Sequence, residues 1–167
     1  MERGFIQGKL EIKLLILYIL ARADEALDMD TLTDTAMCDD GVTYFDYTVA
    51  LAELVDTNHV LRQEGKFLIT DQGRKNGGIM EDQLPYSVRL RCDAKLERIN
   101  EAFRAEKRVR TNLTQQKDGW LVELALDGEE DNLFTLSITL PLQEDAKRLI
   151  RNFRADPQRM LHTLRNL

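Results

Sequence analysis

Apolar positions divide the chain into stretches of different period. From about Lys9 to Ala23, Leu10, Ile12 and the run from Leu14 to Leu20 circle the whole helical cylinder beyond Lys13. A helix that is apolar all round must be covered all round. One face is expected to pack on its own domain and the other on the C-terminal half or a partner subunit. A second helix is predicted from Asp28 to Met37, with acids at its positive end and Leu32, Ala36 and Met37 inward. Cys38-Asp39-Asp40-Gly41 then reads as a turn.

The third helix has the clearest start. Thr43-Tyr44-Phe45-Asp46 fits a capping box, and the helix runs to about Thr57. Tyr47, Leu51, Leu54 and Val55 make its core stripe, leaving Thr43, Asp46, Ala50, Glu53 and Thr57 to solvent. Asn58 falls where a helix end needs a left-handed residue. Two short apolar runs, His59–Arg62 and Lys66–Thr70, flank Glu64-Gly65 and predict a hairpin. Thr70-Asp71 opens a further helix containing Gly73, Arg74 and Lys75, and Gly77-Gly78 reads as a loop.

From Pro85 a long helix extends to about Lys107. Val88, Cys92, Leu96, Ile99 and Phe103 share one stripe, which suits a dimer seam and the cover of a sheet equally. Beyond it the period changes to two: Val109–Gln115, Trp120–Leu126 and Phe134–Leu140 alternate, separated by Asp118-Gly119 and the acidic run 127–132. That predicts a three-stranded antiparallel meander. Helices at about 142–154 and 157–164 close the chain, the second capped by Asp156 ahead of Pro157. The expected class is α+β: an N-terminal winged helix-turn-helix domain (1–83), a linking helix (84–107) and an α+β dimerisation or sensing domain (108–167). Three helices and a hairpin give the winged-helix order, with the third helix as reader and residues 63–66 as the wing.

The segments GFIQGKLEIKLLILYIL, CDDGVTYFDYTVALAELVDTNHV, FLITDQGRKNG and LPYSVR resemble a family of small Firmicutes proteins, a domain of unknown function, over most of the chain. That resemblance implies an N-terminal winged helix and a regulatory role. More distantly, the N-terminal half is similar to PadR-like and MarR-like winged-helix repressors. Leu51, Leu54, Thr70, Gly73 and Arg74 fill the places of their leucine pair and Thr-x-x-Gly-Arg helix start. The implied activity is DNA binding.

Charge complicates that expectation. The 167 residues carry a net charge of -6. Residues 1–83 hold 16 acids against 8 basic residues, and residues 84–167 hold 13 against 15. Ten acids and no lysine or arginine lie between Arg22 and Arg62, the stretch holding the reader helix. Affinity for DNA depends on neutralising phosphate. Several of these acids sit at helix starts, where the dipole favours them; Glu53 does not. The candidate nucleic-acid contacts are Thr43, Tyr44 and Tyr47 on the reader, Arg62 and Lys66 on the hairpin, and Arg74 and Lys75 after it. Arg3, Lys9 and Lys13 supply basic charge near the N-terminus, and Arg104, Lys107, Arg108 and Arg110 form a second basic group.

Other chemistry is sparse. Cys38 and Cys92 read as reduced, mostly buried thiols with no CxxC partner. Cys38, Asp39, Asp40 and His59 make a weak metal cluster, better read as a turn rich in capping acids, so neither metal nor cofactor is expected. No nucleophile triad or phosphate-cradling loop points to an enzyme. Trp120, Phe134, Tyr86 and Phe103 offer a ligand pocket or, more simply, core. Leu14–Ala21 mimics a secretory core but is too short to span a membrane, so a cytoplasmic protein is expected. Two functions compete: a dimeric DNA-binding regulator, with or without a small-molecule effector, and a winged-helix module that binds a protein partner through its acidic face.

Overall fold

A computed structural model describes residues 4–166. Among them are seven α-helices and two three-stranded antiparallel sheets, a mixed α+β architecture. The chain divides into two compact units, the first ending at Phe103 and the second beginning at Arg104.

The first unit begins with α1 (Lys9–Arg22), β1 (Leu27–Asp28), α2 (Met29–Ala36) and α3 (Tyr44–Asp56). It continues through β2 (Val60–Gln63), β3 (Lys66–Ile69) and α4 (Asp71–Ile79), then a short 3-10 turn and most of α5 (Tyr86–Lys107). Its sheet has the order β1-β3-β2. β1 was not anticipated, because two residues are too few to show alternation. It pairs Leu27 with Phe67 and Asp28 with Lys66, and Asp28 also caps α2 by accepting from the Thr31 amide at 2.8 Å. The hairpin turn places Glu64 and Gly65 at φ 52° and 80°, the left-handed pair that a tight two-residue turn needs. Asn58 adopts φ 59° after α3, as its position predicted.

Every residue of α1 from Leu14 to Leu20 is buried. α1 packs on α2, α3, α4 and β3, and the buried stripe of α5 shares its core, with the Tyr18 hydroxyl donating to Asp93 at 2.8 Å. Part of the cover expected from the C-terminal half thus comes from α5. Gly77 explains part of the fit. It is helical rather than a loop residue, and a Cβ there would lie 3.1 Å from that of Leu17, so its bareness lets α4 approach α1 closely. Gly73 is equally constrained, since a Cβ would sit 2.2 Å from the His59 carbonyl oxygen. The α5 stripe is neither dimer seam nor sheet cover. Val88, Cys92 and Leu96 lie within the same core as α1, with Ile99 and Phe103 packed against it.

The second unit carries β4 (Val109–Gln116), β5 (Gly119–Asp127) and β6 (Asn132–Leu140) in the order β4-β5-β6, then α6 (Gln143–Ala155) and α7 (Pro157–Arg165). Alternation decides its faces. Val122, Leu124 and Leu126 join Ala146, Phe153 and Leu161 in a core, while Thr135, Ser137 and Thr139 face solvent. The Phe153 ring meets Phe134 edge-on, with centroids 5.7 Å apart. Asp156 caps α7 through the Arg159 amide, with Pro157 at the first helical position. Among the described residues no helix is long and apolar enough to cross a membrane.

Candidate nucleic-acid interface

The start of α3 is built locally. The Thr43 hydroxyl accepts from the Asp46 amide at 3.1 Å and donates to the Asp46 carboxylate at 2.7 Å. Both groups are thus engaged with each other, and Thr43 donates to a ligand only by giving up that bond. The first turn beyond it is exposed: Tyr44 is 59% and Phe45 73% accessible. Thr48, one turn on, returns its hydroxyl to the Phe45 carbonyl at 2.9 Å.

Two expectations on α3 fail for one reason. Tyr47 is 0% exposed, with its hydroxyl 3.2 Å from that of Thr33, so it is a core residue and not a nucleic-acid contact. Ala50 is buried too. Neighbours on several sides, α1, α2 and β2, widen the buried arc of α3 beyond a single stripe. The outward face becomes Tyr44, Phe45, Thr48, Ala52 and Asp56. Sequence reasoning missed Phe45. Its signal was a large apolar side chain lying off the 47–51–54 stripe.

The acidity of α3 is partly cancelled within the unit. Glu53 is bridged by Lys13 at 2.7 Å and by Lys9, and these two cations, Lys13 foremost, hold its carboxyl below the usual range. The unexplained acid of the sequence is therefore a tie between α3 and α1, and Lys9 and Lys13 are engaged in it. Arg3 lies outside the described residues.

The hairpin cations diverge. Arg62 pairs across the ribbon with Phe67, and Lys66 with Gln63, so the two side chains leave opposite faces. The Arg62 guanidinium is 5.7 Å from the Phe67 ring centroid. Lys66 stands beside Asp28, whose carboxyl is lowered chiefly by the Thr31 amide, with Lys66 contributing. Arg74 donates to the Ala21 carbonyl at 3.1 Å, closing the end of α1. Lys75 is exposed on α4.

The second basic group is tied up in its own unit. Arg110 grips Asp127 with two bonds of 2.6 and 2.9 Å, and Arg108 lies 3.4 Å from Glu129. Arg104 and Lys107 sit in the last turn of α5, where the helix dipole favours cations. The aromatic residues weighed as a pocket are dispersed. Trp120 and Phe134 join the second unit's core, Phe103 packs on the first unit's core, and Tyr86 is 72% exposed.

Two polar residues, Asp39, read from the sequence as a capping acid of its turn, and Asn100, not singled out there, hold irregular segments in place. Asp39 is 3% exposed. One carboxylate oxygen accepts from the Ile6 and Gly41 amides at 3.0 and 3.1 Å, and the other faces Arg91 at 3.1 Å. Burial opposes its ionisation, but these amides, that of Phe5 and Arg91 outweigh it and hold the carboxyl below its usual range. Asn100 donates to the Arg22 carbonyl at 2.8 Å and accepts from the Asp24 amide at 2.9 Å, capping the exit from α1. His59 is shared between Thr57 at 2.8 Å and Asn76 at 2.7 Å. Among the described residues no group of three or more His, Cys, Asp or Glu side chains is placed to hold a metal ion.

The molecule is thus a two-unit α+β protein whose first unit offers a solvent-exposed aromatic helix start beside a β ribbon in sequence. The chain belongs to the DUF4364 family, a domain of unknown function whose model matches residues 12–167. No curated protein and no solved structure matches it significantly.

Proposed function

We propose that this chain is a winged-helix DNA-binding protein, a transcriptional regulator acting as a dimer. The observation that supports the reading most is the pairing of β1 with the β2-β3 hairpin behind an α2–turn–α3 pair whose first α3 turn faces solvent. That arrangement matches a reader helix with a wing. Tyr44 and Phe45 suit apolar contact with thymine methyl groups and Thr48 a base edge or phosphate, while Arg62, Lys66 and Lys75 suit the backbone. The Glu53 tie to Lys9 and Lys13 reduces the repulsion that the bare sequence implied. Tyr86 and Leu90, 72% and 55% exposed and one turn apart on α5, are apolar surface that a second copy of the chain covers in the dimer. The second unit takes the dimerisation or effector-sensing role, and no catalytic role is assigned.

The test is a titration against genomic DNA fragments at about 50 mM and about 200 mM salt, a range over which phosphate-driven binding weakens steeply. Binding should tighten at low salt. Arg62→Ala with Lys66→Ala should weaken it uniformly across fragments and flatten the salt slope, whereas Tyr44→Ala should relax the sequence preference. No binding at low salt overturns the reading.

One observation favours a second reading, a protein-interaction module. The outer face of α3 presents two aromatic side chains and Asp56 but no lysine or arginine. Exposed aromatics serve as anchors in protein interfaces. Recovery of one stoichiometric protein and no DNA from a native lysate supports this alternative.

A further inference from the structure

Cys38 and Cys92 stand 54 residues apart in sequence, yet their sulfurs are 3.1 Å apart. That is about 1 Å longer than a disulfide bond and shorter than ordinary sulfur packing. The two sulfurs are unequal in their surroundings. Cys92, on α5, is fully buried, its sulfur 4.0 Å from the Thr35 carbonyl oxygen. Cys38, in the turn between α2 and α3, is partly exposed. The Arg91 side chain lies over that turn, donating to the Cys38 carbonyl at 2.9 Å and to Asp39 at 3.1 Å. A partly exposed cysteine, a cation over its turn and a second, buried thiol beside it are the parts of an attacking and resolving pair.

We propose that Cys38 and Cys92 form a reversible oxidation site in which the Cys38 sulfur attacks hydrogen peroxide and Cys92 resolves the product into an intrachain disulfide. The shared proton supports the division of roles. Donation from the Cys92 thiol favours the Cys38 thiolate against the effect of burial, with Arg91 adding to it, while the same bond and burial hold Cys92 protonated. In the first step the Cys38 thiolate attacks one peroxide oxygen. A sulfur–oxygen bond forms, the oxygen–oxygen bond breaks, and the departing hydroxide takes a proton to become water. In the second step the Cys92 sulfur attacks the Cys38 sulfur. The sulfur–sulfur bond forms, the sulfur–oxygen bond breaks, and the leaving hydroxide carries off the Cys92 proton as water. Two thiols lose two protons and two electrons, and one hydrogen peroxide becomes two waters. The disulfide ties the turn that leads into α3 to α5, and the site stands whether or not α3 meets DNA.

The experiment uses the full chain, reduced, freed of reductant and exposed to hydrogen peroxide, then alkylated in denaturant and weighed intact. The expected product has lost two hydrogens, takes up no alkylating agent, yields a Cys38–Cys92 linked peptide, and reverts with dithiothreitol. In Cys92→Ala the Cys38 sulfur should be trapped as a sulfenic acid by dimedone, and in Cys38→Ala the Cys92 thiol should survive unmodified in the folded chain. The wild-type measurement needs neither variant to fold. A pair of inert core thiols instead leaves both cysteines alkylatable after peroxide. That result, a disulfide between two chains, or accumulation of sulfinic acid on Cys38 with Cys92 still a thiol overturns the proposal.

Discussion

The two units use polar side chains in opposite ways. In the first, polar groups span long loops of chain. Asp39 reaches back 33 residues to the Ile6 amide, and Asn100 reaches 78 residues to the Arg22 carbonyl. Tyr18, raised above its ordinary value by burial and by Asp93, donates to that carboxylate across 75 residues. In the second, polar side-chain contacts lie at the surface, whether short in sequence, as with Arg110–Asp127 between β4 and β5, or long, as with Arg154 and Thr111 across 43 residues. A meander satisfies its own backbone through its ladder. A unit built from helices at several angles leaves amides and carbonyls at helix ends and lead-in segments, and distant side chains must satisfy them.

This contrast is open to attack where its effects are largest. Phe153→Ala removes the largest fully buried side chain of the second unit's core and the edge contact with Phe134. It should cost about 4 kcal/mol, read from urea denaturation followed by the fluorescence of Trp120, the single tryptophan. A loss below about 1 kcal/mol breaks the view that this small core holds the meander.

Asp39→Ala should cost about 3 kcal/mol, because it orphans two amides and leaves Arg91 without its carboxylate. Its pH dependence follows from the lowered carboxyl. The Asp39 contribution is complete above the ordinary carboxylate range near about pH 4 and is lost as pH falls through the lower folded value. The gap between wild type and variant, measured by urea denaturation followed by far-UV circular dichroism, should therefore narrow below that range. A gap unchanged down to acid pH removes the buried charge from the account.

Arg110→Ala sharpens the other side of the comparison. Its pair is exposed on the sheet surface, so the melting temperature should not move measurably despite two good hydrogen bonds. A clear drop places structural weight on surface pairs in the second unit as well.

Much of the secondary structure was legible before any coordinates. Thr43 with Asp46, Asn58, Glu64-Gly65 and Asp156-Pro157 each mark a boundary through atoms only a few residues apart, and the alternation of β4 to β6 survives in the burial of these strands, broken at Ala125, buried between Leu124 and Leu126. The candidate site was less legible. Tyr47 satisfied a core stripe and a contact list at once, and a single helical period does not say how many neighbours crowd a helix. Phe45 and Asn100 escaped notice because an exposed aromatic or a buried amide looks ordinary until its surroundings are known.

Local order in this protein was set by the sequence alone, since caps, turns and periodicity depend on interactions within about one helical turn or one strand pair. Tertiary structure alone decided what meets across distance: the Glu53 tie to Lys9 and Lys13, the cover of α1 by its own unit, and the meeting of Cys38 with Cys92. The physical reason is that such contacts follow from how whole elements pack. A pattern of neighbours along the chain carries no record of which distant residue will arrive beside it.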